Sequence, residues 1–436
     1  MDGRIWDPYW ESVDRNFLKS HQEALLKEQV KQVFNKLPYY RKKMQDKGLS
    51  PNDIKSLEDI RLLPFTTKKD FMDNYPFGMF AVPLNEVVRV QGSSGTTTGK
   101  SSIVGYTRND LNTWSNLCAR LVTAAGVASH DIAQVSFGYG LFTGGFGLHG
   151  GLERVGALVI PLSSGNTSRQ IRVMRDMKST ALVSTPTYAL RIAEVMKEEG
   201  ISPDDLYLKW GLFGAEPWSE AIRVQIDASL GLTATDNYGM SEVMGPGVAY
   251  ECLERKGMHI AEDHFIVEVI DPETEDPVPY GEVGELVLTT LSKEGVPVLR
   301  YRSRDLTRIF PEPCACGRTS VRMEKVRGRT DDMIIIRGVN VFPTQIEGVL
   351  LSIKHTAPHY QIVLTKRGAL DDIEILVEVT EEMFHDEMRQ LKTLEEEIQY
   401  RLKNELNLEC NVKLVEPKSL ERFEGKARRV LDKRGG

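Results

Sequence analysis

Apolar positions change their period several times along the chain, and each change predicts a different kind of element. Leu25, Val30, Val33, Phe34 and Leu37 fall near helical spacing with Lys and Glu between them, and Pro38 closes that run. Pro51 to Phe71 mixes short apolar and polar groups around Pro51 and Pro64 and reads as loop with short helix. In the middle of the chain, apolar runs such as Ala157–Val159 and Ala181–Val183 predict buried strands. They alternate with helical stretches over Tyr188–Glu199 and Ala221–Leu230, the texture of an α/β region. From Phe265 the pattern shifts. Phe265–Ile270 and Gly284–Leu288 are strand-like and are split by a Pro/Asp/Gly-rich turn, which predicts a more antiparallel, barrel-like part.

After Arg329 the order is legible element by element. Met333–Ile336 reads as a strand, and Pro343–Ile353 as a helix opened by proline. Tyr360–Thr365 and Ile373–Val379 read as strands around a turn at Gly368–Asp372, followed by a helix over Glu387–Leu406 and a strand over Val412–Val415. That is β-α-β-β-α-β, the ferredoxin-like order, and it predicts a second, small α+β domain.

Composition narrows the function classes. The 436 residues are 41% hydrophobic and 27% charged, which is ordinary for a globular chain and excludes wholesale disorder. The net charge of −7 argues against a chain devoted to nucleic acid or an anionic membrane, so any anion site must be built locally. Met1–Ser20 has no apolar h-region, so no secretory signal is expected. The longest uncharged run, between Asp131 and Glu153, carries seven glycines with Gln134, Ser136, Thr143 and His149, and reads as loop and strand rather than a membrane span. Five cysteines, an odd number, do not form a disulfide framework; a reducing, cytoplasmic setting is expected.

The most concentrated chemical signal is Gln91-Gly92-Ser93-Ser94-Gly95-Thr96-Thr97-Thr98-Gly99-Lys100. Glycines let backbone N–H groups approach phosphate oxygens, hydroxyls donate, and the lysine neutralises charge. It is not a Walker loop, which needs glycine where Ser94 stands. The loop resembles the Ser-Ser-Gly-Thr-Thr-Gly-Lys signature of the adenylate-forming superfamily of acyl-CoA synthetases, with one extra threonine and Ser101 where proline is usual. Further segments carry the resemblance. Tyr238-Gly239-Met240-Ser241-Glu242 is similar to the Tyr-Gly-x-Thr/Ser-Glu motif. Tyr301-Arg302-Ser303-Arg304-Asp305 is similar to Tyr-Arg-Thr-Gly-Asp, with Arg304 at the usual glycine. Gly328-Arg329-Thr330-Asp331-Asp332 is similar to the hinge, and Arg422-Phe423-Glu424-Gly425-Lys426 to the segment carrying the adenylation lysine.

The resemblance covers about Leu25 to Lys433 and narrows to the phenylacetate–CoA ligase family. The narrowing rests on Leu37-Pro38-Tyr39-Tyr40-Arg41, on Phe137 to Gly145, on Glu242-Val243-Met244-Gly245-Pro246-Gly247 and on Arg337-Gly338-Val339-Asn340-Val341-Phe342-Pro343. It implies a large adenylate-forming domain over residues 1–330, of mixed sheets and helices with a barrel-like part. A mobile ferredoxin-like domain over 331–436 would follow, hinged at Asp331. It implies ATP, Mg²⁺ and coenzyme A, a small carboxylic acid as substrate, no nucleic acid or membrane partner, and leaves a homodimer open.

By the same resemblance, Lys426 and Glu242 are catalytic, with Glu242 holding Mg²⁺. ATP and AMP would touch Ser93, Ser94, Gly95, Thr96, Thr97, Thr98, Gly99 and Lys100. The same holds for Gly214, Ala215, Glu216 and Pro217, for Asp236, Asn237, Tyr238, Gly239, Met240 and Ser241, and for Asp305 (ribose) and Arg329. Tyr139, Phe142, Gly214 and Ala215 would form the acyl pocket, whose aromatic and small residues suit an aryl acid such as phenylacetate. Arg337, Gly338 and Val339 would line the coenzyme A tunnel.

Cys314-Ala315-Cys316, with Cys252 and His259 upstream, supplies three thiolates and an imidazole, a closed set suited to structural Zn²⁺; His264 is a rival ligand. Three other functional readings stand beside the ligase: another acid or a carrier-protein acceptor, a P-loop-like kinase, and a non-catalytic homologue that binds acyl-adenylate or coenzyme A.

Overall fold

The computed structural model describes residues 4–93, 102–337, 339–367, 370–384 and 388–434. The chain divides into two compact units. The first takes Met1–Ser184, Asp204–Ala215 and Leu232–Lys325; the second takes Thr185–Pro203, Glu216–Gly231 and Val326–Gly436.

The first unit opens on a helix over Arg15–Lys36. Pro38 ends it and also begins the next, Pro38–Asp46, because proline's missing N–H costs nothing in a first turn. Strands β1 (Arg89–Gly92) and β2 (Ile103–Tyr106) pair antiparallel, Gly92 opposite Ile103.

The main sheet draws on β3 (Ile132–Val135), β4 (Leu158–Ile160), β5 (Ala181–Ser184), β6 (Trp210–Gly214) and β7 (Thr233–Met240), which are parallel to their neighbours. Antiparallel strands β8 (Gly245–Glu251) and β9 (Met258–Ile260) extend it past β7. The order runs β9-β8-β7-β6-β5-β3-β4. The run at Ala181–Val183 is thus a central, fully buried parallel strand, as expected where both faces of such a sheet are covered, whereas the run at Ala157–Val159 falls on the edge strand β4, where Leu158 is exposed and the expected burial is not met. Three antiparallel strands, β10 (Phe265–Ile270), β11 (Gly284–Thr290) and β12 (Tyr301–Thr307), form the region expected after Phe265. Two short strands, β13 (Ile309–Phe310) and β14 (Arg322–Met323), then return to the large sheet beside β9.

The uncharged stretch after Asp131 differs from expectation. It holds β3 and a loop, but also a helix over Thr143–Val155. Its glycines are there for close approach. A Cβ at Gly147 would lie 2.6 Å from Trp114, and one at Gly151 2.5 Å from Cys118, both on the helix Arg108–Ala124.

The second unit gathers helices Pro186–Glu198 and Glu220–Leu230 with the C-terminal residues. After β15 (Gly328–Arg329), β16 (Ile334–Ile336) and β17 (Val339–Val341) pair, among the described residues, only with each other. A helix over Pro343–Leu351 leads to β18 (Thr356–Arg367) and β19 (Leu370–Val379), then a helix over Met388–Leu406, β20 (Asn411–Val415) and β21 (Val430–Asp432). The α+β class and the elements read from sequence are found in the expected succession, but the structure adds β17 and β21, and the sheet membership differs. The four-stranded sheet runs β20-β19-β18-β21, so the place expected for Met333–Ile336 is taken by a C-terminal strand parallel to β18. Three-residue β16 closes a tight hairpin with β17 instead, and that leaves the β18 edge to Val430–Asp432. Ile362, Ile375 and Val377 from the sheet and Ile398 and Leu402 from the helix pack as its core.

Candidate active site and metal centre

Open parallel sheets bind ligands beyond the carboxyl ends of their strands, where the strand order reverses. Here β4 and β5 lie on opposite sides of β3, which makes the β3/β5 boundary that point. The loop leaving β3 carries Tyr139 and Phe142, and the ends of β6 and β7 carry Gly214-Ala215 and Asn237–Met240. Tyr139, Phe142, Gly214, Ala215 and Asn237–Met240 therefore lie at the carboxyl ends of strands of one sheet.

Tyr139 sets its ring edge-on to Phe146 at 5.1 Å, and its hydroxyl meets His149 Nδ1 at 3.0 Å, which gives one aromatic wall. Phe142 is half exposed. Ala215 has φ 72, a left-handed conformation at an exposed non-glycine residue. Such strain costs on the order of 1–3 kcal/mol and concentrates at ligand sites.

On β7 the Asp236 N–H donates to Glu251 Oε2 at 2.8 Å, and Asn237 Nδ2 donates to the Phe213 carbonyl at 2.6 Å. Tyr238 donates its hydroxyl to Asp305 Oδ2 at 2.5 Å, so two of the nucleotide candidates meet although 67 residues apart. Arg304, just before Asp305, adopts φ 68, which explains physically why glycine is usual at that position of the motif. Ser241 Oγ meets Thr143 Oγ1 at 3.2 Å. A Cβ on Gly239 would lie 1.8 Å from the Gly245 carbonyl, so the β7–β8 turn closes only on glycine. That turn carries Met240 and a buried Glu242.

Sequence reasoning missed what sits beneath Glu242. Lys293 is fully buried; its ammonium donates to the Val243 carbonyl at 2.9 Å and lies 4.3 Å over the Tyr106 ring. Tyr106 in turn donates to the Met244 carbonyl at 2.7 Å. Burial pushes the Lys293 ammonium down to about 8, against the pull of Asp110 and Glu242. In sequence, Ser292-Lys293-Glu294-Gly295 looks like a surface turn, and nothing in it signals burial.

The consequence for stability has a definite sign. The folded chain releases this proton near pH 8 and the unfolded chain near about 10.4. Unfolding in that window takes up a proton, so stability rises with pH there, by up to about 3 kcal/mol. Denaturant titrations of wild type and Lys293→Met from pH 7.5 to 10.5 should show their stability difference moving by that order in favour of wild type. A pH-independent difference would contradict the buried ammonium.

Of the remaining candidates, Ser93 belongs to the first unit, and the others belong to the second unit or lie outside the described residues. Glu216 spends its carboxylate on the N–H groups of Thr187, at 2.8 Å, and Ala427, at 3.1 Å. Pro217 is exposed. Arg329 pairs with Asp331 through Nε and Nη2 at 2.8 and 3.0 Å. Arg337 pairs with Asp372 at 3.0 Å, and Val339 is half-buried on β17. Lys426 is exposed, between β20 and β21. Ser93 donates its N–H to the Ser102 carbonyl at 3.1 Å, while Ser94, Gly95, Thr96, Thr97, Thr98, Gly99, Lys100 and Gly338 lie outside the described residues.

Cys252, His259, Cys314 and Cys316 come together with all their ligand atoms within 4.8 Å of one another. The Cys252 and Cys314 sulfurs are 3.7 Å apart, and Cys316 Sγ lies 3.3 Å from His259 Nε2. Tetrahedral coordination with Zn–S bonds of about 2.3 Å sets ligand-to-ligand edges of roughly 3.8 Å, which these spacings match. His259 Nδ1 meets Ser320 Oγ at 3.2 Å, which aims the other ring nitrogen at the thiols. His264 is engaged elsewhere, by Ser292 and Asp263. A hydrogen bond from Cys252 holds the Cys316 thiol far below its ordinary range, the negative character a cation would meet.

Comparison with known proteins gives this geometry a family. Residues 42–292 match the model of the AMP-binding enzyme family, and residues 338–434 match that of the AMP-binding enzyme C-terminal domain. The chain is 48% identical to the phenylacetate-coenzyme A ligase of Thermus thermophilus, over 99% of this chain and 100% of that one. Its structure is similar to that of 2-hydroxyisobutyryl-CoA ligase in the postadenylation state, with a TM-score of 0.94 at 30% identity, covering 100% of this chain and 93% of the other. Against that ligase with 2-HIB-AMP and CoA in the thioesterification state, the TM-score is 0.74 at 31% identity, over 99% and 93% of the two chains. The chain is therefore an adenylate-forming, AMP-binding enzyme. Within that class it belongs to the phenylacetate–CoA ligase family, and it is an ATP-dependent, AMP-forming acid–CoA ligase that works through an acyl-adenylate.

Proposed function

We propose that the acid is an aryl acid of the phenylacetate type and the acceptor free coenzyme A. The aromatic wall of Tyr139 and Phe146 at the β3 edge carries this reading, and a phenylacetate-coenzyme A ligase at 48% identity supports it. A flat ring suits an aromatic wall, and the small residues Gly214 and Ala215 stand at the end of β6 in the same sheet.

The substrate carboxylate is ionised at pH 7 and needs no general base. It attacks the α-phosphate of ATP, and pyrophosphate leaves. Charge and alignment limit such a step. Lys426 stabilises negative charge at the α-phosphate, and Asp305 accepts the ribose hydroxyls, its carboxylate oriented by Tyr238. Glu242 would hold Mg²⁺, which would supply charge neutralisation at the phosphates; its burial in a tight turn fits a fixed oxygen ligand. In the second half-reaction the thiol of coenzyme A attacks the acyl carbonyl and displaces AMP, with Asp331 as the hinge and Arg337 and Val339 as the coenzyme A residues that the family resemblance implies. The Cys/His cluster holds a structural zinc ion, and its free cysteines suit a reducing cytoplasm. Among the described residues no helix is long and apolar enough to cross a membrane.

Pyrophosphate release from MgATP, measured with phenylacetate, benzoate, 2-hydroxyisobutyrate and acetate, with and without coenzyme A, tests the reading. The expected result is a kcat/KM at least about tenfold higher for phenylacetate than for the aliphatic acids, with turnover dependent on coenzyme A. Preference for 2-hydroxyisobutyrate overturns the aryl assignment. A burst of pyrophosphate with no dependence on coenzyme A points to a carrier protein as acceptor.

A further inference from the structure

Lys426 lies between two peptide groups that are both held by side chains from the middle of the chain. On its N-terminal side, the Thr185 hydroxyl donates to the Gly425 carbonyl at 3.3 Å. The same hydroxyl accepts the Tyr188 N–H at 3.2 Å and so caps the helix Pro186–Glu198. On the C-terminal side, Glu216 Oε2 accepts the Ala427 N–H at 3.1 Å. Its Oε1 accepts the Thr187 N–H at 2.8 Å, one of the donors a helix N-terminus leaves open. One carboxylate therefore ties the backbone beside Lys426 to the first turn of a helix.

The approach to the lysine is tied down as well. Arg422 makes a two-pronged bond to Glu378 at 2.7 and 2.8 Å and a further bond to Glu194 at 3.1 Å. Beyond it, Arg429 lies 4.5 Å over the Tyr360 ring. Arg422 and Arg429 hold the segment in place. Glu216 and Thr185 act on the two peptides that set the direction of the Lys426 side chain.

We infer that Glu216 is a positioning residue for Lys426 in the adenylation half-reaction. It holds the lysine's backbone where the ammonium meets the α-phosphate, and it has no part in thioester formation. The inference rests on the assignment of Lys426 as the adenylation lysine. It also gives the glutamate of Phe213-Gly214-Ala215-Glu216-Pro217 a task other than touching the nucleotide.

The two half-reactions test it separately. Glu216→Gln keeps size and one acceptor oxygen but turns a donor toward an N–H, and Glu216→Ala removes both bonds. Single-turnover pyrophosphate formation should fall roughly 10- to 100-fold in both variants, the cost of a displaced catalytic group. Thioester formation from preformed acyl-adenylate and coenzyme A should stay within about twofold of wild type, since misalignment of Lys426 does not enter that step. Equal losses in both half-reactions, or no loss of adenylation in Glu216→Gln, overturn the inference. Lys426→Ala run alongside separates the two readings. If it adenylates normally, the lysine's own role fails and the inference with it. If it is inactive while Glu216→Gln is normal, only the inference fails.

Discussion

Lys426→Ala should lose about 10²- to 10³-fold in the rate of pyrophosphate formation, the usual cost of one preorganised charge aimed at a transition state. The reaction moves negative charge onto a phosphorus centre between two anions, so a cation there is worth more in the transition state than in the ground state. The loss should therefore fall on the rate of the step, with little change in the concentration of ATP needed for half-saturation. Lys426→Arg should recover only a part, because a planar guanidinium does not present the compact charge of an ammonium. Conversion of supplied acyl-adenylate to thioester should persist. An Ala variant that forms pyrophosphate at the wild-type rate would remove Lys426 from the mechanism.

The second large effect concerns the Cys/His cluster. Purified protein should carry about one zinc per chain by elemental analysis. Cys316→Ser should lower the melting temperature by roughly 10 °C, the equivalent of several kcal/mol in a chain of this size. The physical reason is topological. Cys252 follows β8 and His259 lies on β9, while Cys314 and Cys316 belong to the loop between β13 and β14. A bound ion would fasten that loop to the sheet. By the β7–β8 register, Cys252 lies at the end of the pair away from Gly239–Glu242, so adenylation by folded Cys316→Ser should stay near the wild-type rate at low temperature. Protein with no bound zinc and an unchanged melting temperature would rule the site out.

Much of the candidate site was legible because its chemistry is local. Tyr238 to Glu242 form one strand end and turn, Tyr301 to Asp305 one strand, and Gly425-Lys426-Ala427 one short segment. A motif of five residues fixes its own spacing whatever the remainder of the chain does. Period and punctuation likewise foretold the parallel strands and the helices of the C-terminal residues. Glycine misled in one place. It was read as a loop signal between Asp131 and Glu153, and it serves there to let two helices approach.

By itself, then, the sequence determined the element order, the α/β and α+β textures, the family resemblance and the identities of the chemical groups. Tertiary structure alone decided which of those groups meet. Tyr238 reaches Asp305, Cys252 reaches Cys314 across 62 residues, Lys293 slips beneath Val243, and Glu216 reaches Ala427 across 211. Such contacts depend on strand register and on which edge a late strand such as β21 completes. Those are set by burial and pairing summed over the whole fold, and no short stretch of sequence contains them.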